Sequence, residues 1–292
     1  MVKYINRLFE IVQDDAQVVK WIREFSKVQQ STSCFALIKV SGASIDKYSE
    51  KLVEGLGILS KLELCAPVVY GWGEALTKRL DDARVPYEWH PSTGDRITTP
   101  EAMKLTVQIS REYGLKIQEA CQREGINAEL LDGIFSARPQ TLEGVGYPHC
   151  NGEIEEARIG LAMHLISNGV IPIISPIGHC NRGHPLNINA DAASSFLAEQ
   201  IRPLKYCLIT NTGGVLDSGG GLIPRIKLKE DLPKLIQSKT ISGGMEKKLR
   251  EVEGTLEKLS EDGLPHSVQI VHPENLIVEL FTDYGKGAYI EL

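Results

Sequence analysis

Short apolar runs, each ending near a glycine-punctuated loop and followed by a helical stretch, recur along this chain and leave few architectures open to it. The loops read KVSGAS from Lys39, YGWGEAL from Tyr70, LNINADAA from Leu186, TNTGGVLD from Thr210 and ISGGMEKK from Ile241. The runs FALIKV (35–40), LCAPVVY (64–70), VIPIISPI (170–177), KYCLIT (205–210) and SVQIVH (267–272) read as strands. They are apolar throughout rather than alternating, as strands covered on both faces are. SIDKYSEKLVEGLGILSKL reads as the helix after the first strand, with Ser44 or Asp46 as its cap. Helical spacing follows over 74–83, 100–124, 153–168, 190–201, 229–236 and 246–261. Such alternation predicts an α/β chain with a mainly parallel sheet covered on both faces.

Two segments fall outside that rhythm. Residues 3–27 have helical periodicity broken at Asp14 or Asp15, and precede the first strand as an added arm. The stretch 132–153 is rich in turn residues and suits a small hairpin. A chain of 292 residues can bury a full core, and two lobes are expected to divide near 180–190 without a flexible linker.

The net charge of −6 argues against a nucleic-acid surface. No apolar run reaches the roughly 20 residues of a membrane helix, and the N-terminus lacks the apolar core and cleavage site of a secretory signal. Cys34, Cys65, Cys121, Cys150, Cys180 and Cys207 show no paired spacing, which suits a reduced, cytoplasmic setting. His149-Cys150, His179-Cys180 and His184 match no zinc signature, so no protein-bound metal is expected.

The charged residues at the loops each admit two readings. Lys39 closes an apolar strand, where it is either a ligand-facing lysine or a solvated strand terminus. Lys247 and Lys248 near a helix start oppose the helix dipole, which a bound phosphate would explain and plain solvation would not require. Asp191 is a helix-start acid that caps its helix, holds two lysines in place or helps bind magnesium. Asn187 and Asn189 offer amides to a carboxylate or polar substrate. The TNTGGVLD loop lacks the P-loop pattern, and G-x-G-x-x-G does not occur in the right context.

Taken in order, KVSG, YGWG, RIT (96–98), NINAD (187–191) and GGMEKK (243–248) resemble the motifs of the amino acid kinase family over residues 35–292. That family carries K-x-G-G, an H-G-G-G-type loop, R-V-T, N-x-N-A-D and G-G-M-x-x-K. The N-terminal arm, RPLKYCLITNTGGVLD and VHPENLIVELFTDYGKGAYI resemble most the kinase domain of its bifunctional N-acetylglutamate synthase/kinase branch.

The resemblance implies an open three-layer α/β/α sandwich of about eight strands. It implies an arm over 1–30 and a kinase domain over 31–292, with an acyl-amino-acid lobe to about 180 and a nucleotide lobe from about 181. The implied activity is ATP-dependent phosphorylation of the side-chain carboxylate of N-acetyl-L-glutamate, in arginine biosynthesis. Lys39 and Lys248 would contact the transferring phosphoryl group, with Asp191 orienting both. Gly71, Trp72, Gly73, Arg96 and Asn187 would hold the acylated amino acid. Gly42, Thr210, Asn211, Gly213, Gly214, Leu216 and Ser242 would line the ATP site, with magnesium carried by the nucleotide.

The same resemblance implies a homo-oligomer and L-arginine as an effector near the arm and Gly285 and Gly287. An acetyltransferase partner acting in trans also follows from that branch, since synthase activity is not expected of these 292 residues. No nucleic-acid or membrane partner is implied. Ser41 replaces a motif glycine, Trp72 another, and Tyr70 the motif histidine. Those departures keep open an arginine-sensing module without kinase activity, or a kinase for another acylated amino acid.

Overall fold

The computed structural model describes residues 2–29, 34–262, 266–283 and 285–292; the expected arm boundary at 30/31 and Tyr284 of the expected effector segment lie outside these. In chain order, α1 (Val2–Val12) and α2 (Asp15–Gln29) precede β1 (Ala36–Val40), α3 (Gly42–Lys61), β2 (Val68–Tyr70) and α4 (Gly73–Asp82). A short hairpin of β3 (Glu88–Trp89) and β4 (Arg96–Ile97) leads to α5 (Pro100–Arg123), β5 (Ala128–Leu131), β6 (Phe135–Pro139), β7 (Gly152–Ala157) and α6 (Ile159–Ser167). Then come β8 (Ile171–Ile174), β9 (Ile177–His179), β10 (Pro185–Asn187), α7 (Ala190–Ile201), β11 (Lys205–Ile209), β12 (Val215–Leu216) and β13 (Leu222–Ile223). β14 (Arg225–Lys227), α8 (Leu228–Gln237), α9 (Gly243–Leu259), β15 (Val268–Val271), α10 (Leu276–Phe281) and β16 (Ala288–Glu291) follow.

Eight strands form the central sheet in the order β14-β16-β15-β11-β1-β2-β8-β5. All neighbours run parallel except β15 and β16. The chain leaves β1 toward β2 on one side and later returns to β11 on the other. That reversal of strand order opens a crevice at the carboxyl ends of β1 and β11, where α/β ligands gather.

The period of two along β1 decides what each of its residues meets. Ala36, Ile38 and Val40 join a buried cluster with α3 and α5, whereas Leu37 joins the opposite cluster with α7 and α9. Lys39 shares the face of Leu37, so it emerges toward α7 and α9.

Proline explains two shortened strands, since it cannot donate to a ladder. The run 64–70 pairs only from Val68, after Pro67, and the run 170–177 breaks at Pro176 into β8 and β9. The expected helix over 153–168 is corrected more deeply. Its first third is β7, paired antiparallel with β6 to form the hairpin expected in the turn-rich stretch. GEIEEA places Gly152 and Ile154 half-buried and Glu153 and Glu155 exposed, a period of two that overrides helical spacing until Ile159.

The helix after β1 starts earlier than expected. Ser41 caps it, accepting a hydrogen bond from the Ser44 N–H at 3.2 Å, while Asp46 accepts from Lys116 at 2.7 Å and from the Tyr113 hydroxyl. Segments unseen in the sequence also form strands, among them β5, β14 and β16 and the hairpins β3–β4 and β12–β13. Most are two to four residues long, too short to carry a readable pattern.

The N-terminal segment forms two helices, separated at Gln13 (φ 57°), with the Asp14 carboxylate accepting from the Gln17 N–H at 3.1 Å. Leu8, Val12, Val18 and Phe25 are buried in the same cluster as β1, α3 and α10. The Phe25 ring lies 4.8 Å from Phe35 and 5.4 Å from Phe281, centroid to centroid. Phe25→Ala is expected to cost about 3–5 kcal/mol and still give one urea transition, because it opens a cavity in a shared core. Two separate transitions would show that α1 and α2 fold apart from the sheet.

Candidate active site

Asp191 sits at the centre of the crevice. It occupies the first turn of α7, whose cap is Asn189; the Asn189 side chain accepts from the Asp191 N–H at 2.8 Å. Lys39 reaches Asp191 Oδ1 from β1 at 2.7 Å. Lys248 reaches both carboxylate oxygens from α9 at 2.7 Å. Lys39 is only 5% exposed, so the carboxylate balances an ammonium that would otherwise be costly to bury. GGMEKK enters the helix earlier than expected, at Gly243, so Lys247 and Lys248 lie in its second turn rather than its first.

The charges tune one another. Burial raises the Asp191 carboxyl, but Lys39 and then Lys248 outweigh it and hold the group well below the usual carboxylate range. Burial, followed by repulsion from Lys39, draws Lys248 down to about 8 against the pull of Asp191. Two ammonium groups thus flank one carboxylate beside open helix starts, an arrangement able to receive a phosphoryl group.

Arg96 stands on β4 and is 7% exposed. Its Nη2 donates to the Gly73 carbonyl at 3.1 Å and to the Thr77 hydroxyl. Its guanidinium carbon lies 5.2 Å from the Tyr87 ring and 4.8 Å from the Trp89 ring. Burial lowers its pKa, and its Nε has no hydrogen-bond partner among the described residues. A buried, unpaired donor on a guanidinium suits a carboxylate ligand.

Asn187 closes the other wall. Its amide donates to the Thr98 hydroxyl at 2.8 Å, and its N–H donates to the Cys150 carbonyl at 2.7 Å. Asn151, between them, accepts from the Thr98 N–H and donates to the Arg96 carbonyl, each at 2.8 Å. Thr98 and Asn151 were not expected at the site. The RIT motif is a readable signal for Thr98, whereas nothing in the sequence around Asn151 marks it.

Gly71 and Gly73 bracket the Trp72 backbone at the start of α4. The Trp72 indole, however, is 5% exposed and packs into the core with its centroid 5.6 Å from the Tyr70 ring. Tyr70 is fully buried and donates to the Ser110 carbonyl at 2.9 Å. Both rings replace motif residues without filling the crevice.

Two glycine loops meet directly. A Cβ at Gly42 would lie 2.8 Å from the Gly71 carbonyl oxygen and 2.9 Å from the Trp72 Cα, so only glycine allows this approach. The third loop joins them through the Ser44 hydroxyl, which donates to Asn211 at 2.8 Å. Thr210 begins that loop, and Gly213 and Gly214 pack against His272 and Leu222. Leu216 lies apart on the exposed β12–β13 hairpin. Ser242 precedes α9 in extended geometry (φ −158°) without capping it by its side chain, and Gly243 follows at φ 54°. The first N–H groups of α9 therefore keep their capacity for an anion.

Paired lysines, glycine loops and helix starts meet at one crevice of an α/β sandwich, a combination suited to binding an anion. The chain belongs to the amino acid kinase family, whose model matches residues 35–258. Members of that family use ATP. Among curated relatives, the acetylglutamate kinase of Xanthomonas campestris pv. campestris is 31% identical over 275 residues, covering 94% of this chain and 62% of that protein. The acetylglutamate kinase of Nostoc sp. is 28% identical, covering 98% of this chain and 97% of that one. The chain spans less than two thirds of the first relatives it matches.

Solved structures of the N-acetylglutamate synthase of Neisseria gonorrhoeae share the fold. The complex with coenzyme A and N-acetyl-glutamate has a TM-score of 0.79 at 18% identity, covering 95% of this chain and 62% of that one. The complex with coenzyme A and L-arginine has a TM-score of 0.78 at 17% identity, covering 94% and 64%.

Asp191→Asn is expected to cost about 3 kcal/mol at pH 7, since it leaves two buried ammonium groups facing each other. The loss shrinks toward pH 9. Without the carboxylate, Lys248 sheds its proton below about 8 while the unfolded chain keeps it to its ordinary lysine value. Stability of the variant then rises with pH earlier than that of the parent, and urea unfolding at both pH values reads the difference.

Proposed function

We propose that this chain transfers the γ-phosphoryl group of ATP to the side-chain carboxylate of N-acetyl-L-glutamate, a step of arginine biosynthesis. The observation that carries this reading is Asp191 held between Lys39 and Lys248, with Arg96 on the neighbouring wall. The relatives named acetylglutamate kinase support the choice of acceptor.

The acceptor carboxylate has an ordinary pKa of about 4.3, so it is already a nucleophile at neutral pH. No general base is needed. The task is to bring two anions together and stabilise charge on the transferring group. Lys39 and Lys248 supply that charge, and Asp191 keeps their ammonium groups aimed. Arg96 takes a carboxylate of the acceptor through its unpaired Nε, while Asn187 and the backbone of Gly71 to Gly73 hold the rest. The loops at Gly42, Thr210, Asn211, Gly213 and Gly214, with Ser242, hold ATP, and Leu216 on its exposed hairpin would reach the nucleotide only from the rim.

Both Asp191 oxygens are engaged by lysines, which suits magnesium carried on the nucleotide phosphates rather than on a protein cluster. The ion would neutralise phosphate charge there. In this reading residues from 31 to about 180 form the acceptor lobe and those from about 181 to 292 the nucleotide lobe, with Gly42 and Asn187 each reaching across to the other lobe's ligand and the arm at 1–30. The core position of Trp72 and the capping role of Ser41 support the catalytic reading over a crevice turned to sensing.

Regulation by L-arginine belongs to the same proposal. Behind the arm, the Lys205 ammonium lies 4.0 Å from the Trp21 ring centroid and donates to the Thr282 carbonyl at 2.8 Å. Buried Glu279 accepts from the Gly287 N–H at 3.2 Å, and burial raises its pKa. A carboxylate and an aromatic face suit a guanidinium or ammonium ligand. A homo-oligomer, an acetyltransferase acting in trans and a cytoplasmic setting complete the reading; all six cysteines are free thiols.

ADP release from ATP and magnesium is expected to saturate with N-acetyl-L-glutamate and to be absent with L-glutamate. Lys39→Ala and Lys248→Ala should each lower kcat by about 10²–10³. Arg96→Gln should instead raise the acceptor KM at nearly constant kcat. Near-normal turnover by Lys248→Ala would overturn the assignment. Added L-arginine should slow the parent enzyme and leave Glu279→Gln unaffected; equal responses would refute that effector site.

A further inference from the structure

Lys247 points to a different partner from Lys248. Successive residues of a helix are turned by about 100° from one another, so the two lysines leave α9 in different directions. Lys247 forms an ion pair with Asp95, the residue before Arg96. The Asp95 side chain is 19% exposed and its Oδ1 also accepts from the Asn189 amide at 2.9 Å. Asn189 is the same residue whose side-chain Oδ1 caps α7 and accepts from the Asp191 N–H. One carboxylate therefore ties together the strand of Arg96, the cap beneath Asp191 and the helix of Lys248.

The hairpin that carries Arg96 needs such a tie. β3 and β4 form a two-stranded sheet separate from the central one, with Glu88 and Trp89 exposed. An isolated two-stranded hairpin is marginal in water. Its turn is closed where the His90 N–H donates to the Asp95 carbonyl at 2.7 Å, so holding Asp95 holds the turn. The tie runs to α9, whose first turn is the anion-ready end of the nucleotide side. Exposed ion pairs stabilise a fold little, but a half-buried pair bridging distant elements can set geometry.

We infer that Lys247 and Asp95 are positioning residues: their ion pair latches the β3–β4 hairpin onto α9, so that Arg96 is seated over the acceptor while Lys248 faces the transferring group. The inference rests on the kinase reading for its kinetic consequence, and on geometry alone for its structural one.

Hydrogen exchange and steady-state kinetics test it together on the full chain. In Lys247→Ala, the amides of residues 88–97 should exchange about tenfold faster than in the parent protein without ligands. Lys247→Ala and Asp95→Asn should each raise the acceptor KM about tenfold with kcat and ATP KM within about twofold, and the double variant should be no worse than either. Lys247→Arg should restore the parent values. Unchanged exchange in the hairpin, or single effects that multiply in the double variant, would overturn the latch. If the parent does not turn over N-acetyl-L-glutamate, the acceptor reading fails while exchange still decides the latch.

Discussion

A partly buried carboxylate held between two ammonium groups organises this molecule. Burying Lys39 and Lys248 near each other without Asp191 would place like charges in a poorly solvated crevice. With Asp191 present, each lysine has an opposite charge beside it, and the pair still outnumbers the carboxylate, which suits an anion. Each group comes from a different layer position: β1 in the sheet, α7 and α9 on one face. The crevice is therefore only as well formed as the packing that brings those elements together.

That packing follows from alternation along β1. Lys39 lies between Ile38 and Val40, which face α3 and α5, and it shares the side of Leu37, which faces α7 and α9. A slip of one residue would send the lysine to the wrong face. Parallel pairing of β1 with both β2 and β11 pins the register on each side. The close approach of Gly42 to Gly71 then brings two loops into contact, and Ser44 joins Asn211 of a third. Sheet register and glycine contacts thus convert separate loops into one site.

The wall of the crevice that carries Arg96 and Asn187 depends on polar bonds more than on apolar packing. Asn151 bridges Arg96 and Thr98, and Asn187 extends the chain of bonds from Thr98. Such a network is rigid when each member is satisfied and costly when one is missing. The exception is the buried Arg96 Nε, which has no hydrogen-bond partner among the described residues. Aromatic residues respond to the same division. Tyr70 and Trp72 fill the core beneath the loop, whereas Trp89, 56% exposed, stays on the outer hairpin beside Arg96.

The order of the loops, the apolar character of β1, β2, β8, β11 and β15, and the residue types Lys39, Asp191 and Lys248 were legible in the sequence alone. They suffice for a mainly parallel α/β chain with lysines and a carboxylate at its glycine loops, because strand burial and loop chemistry are local properties. The short strands that lie outside apolar runs, such as β3, β4, β12, β13 and β14, carry no readable pattern, and β7 has helical spacing in the sequence but pairs with β6, because strand pairing partners lie elsewhere in the chain. The roles of Trp72 and Ser41 also needed the fold: only packing directs the indole into the core, and only the helix start makes Ser41 a cap. Which lysine meets which carboxylate was decided by tertiary structure. Lys247 and Lys248 are adjacent in sequence, yet helix geometry sends one to Asp95 and the other to Asp191, across separations of 152 and 57 positions.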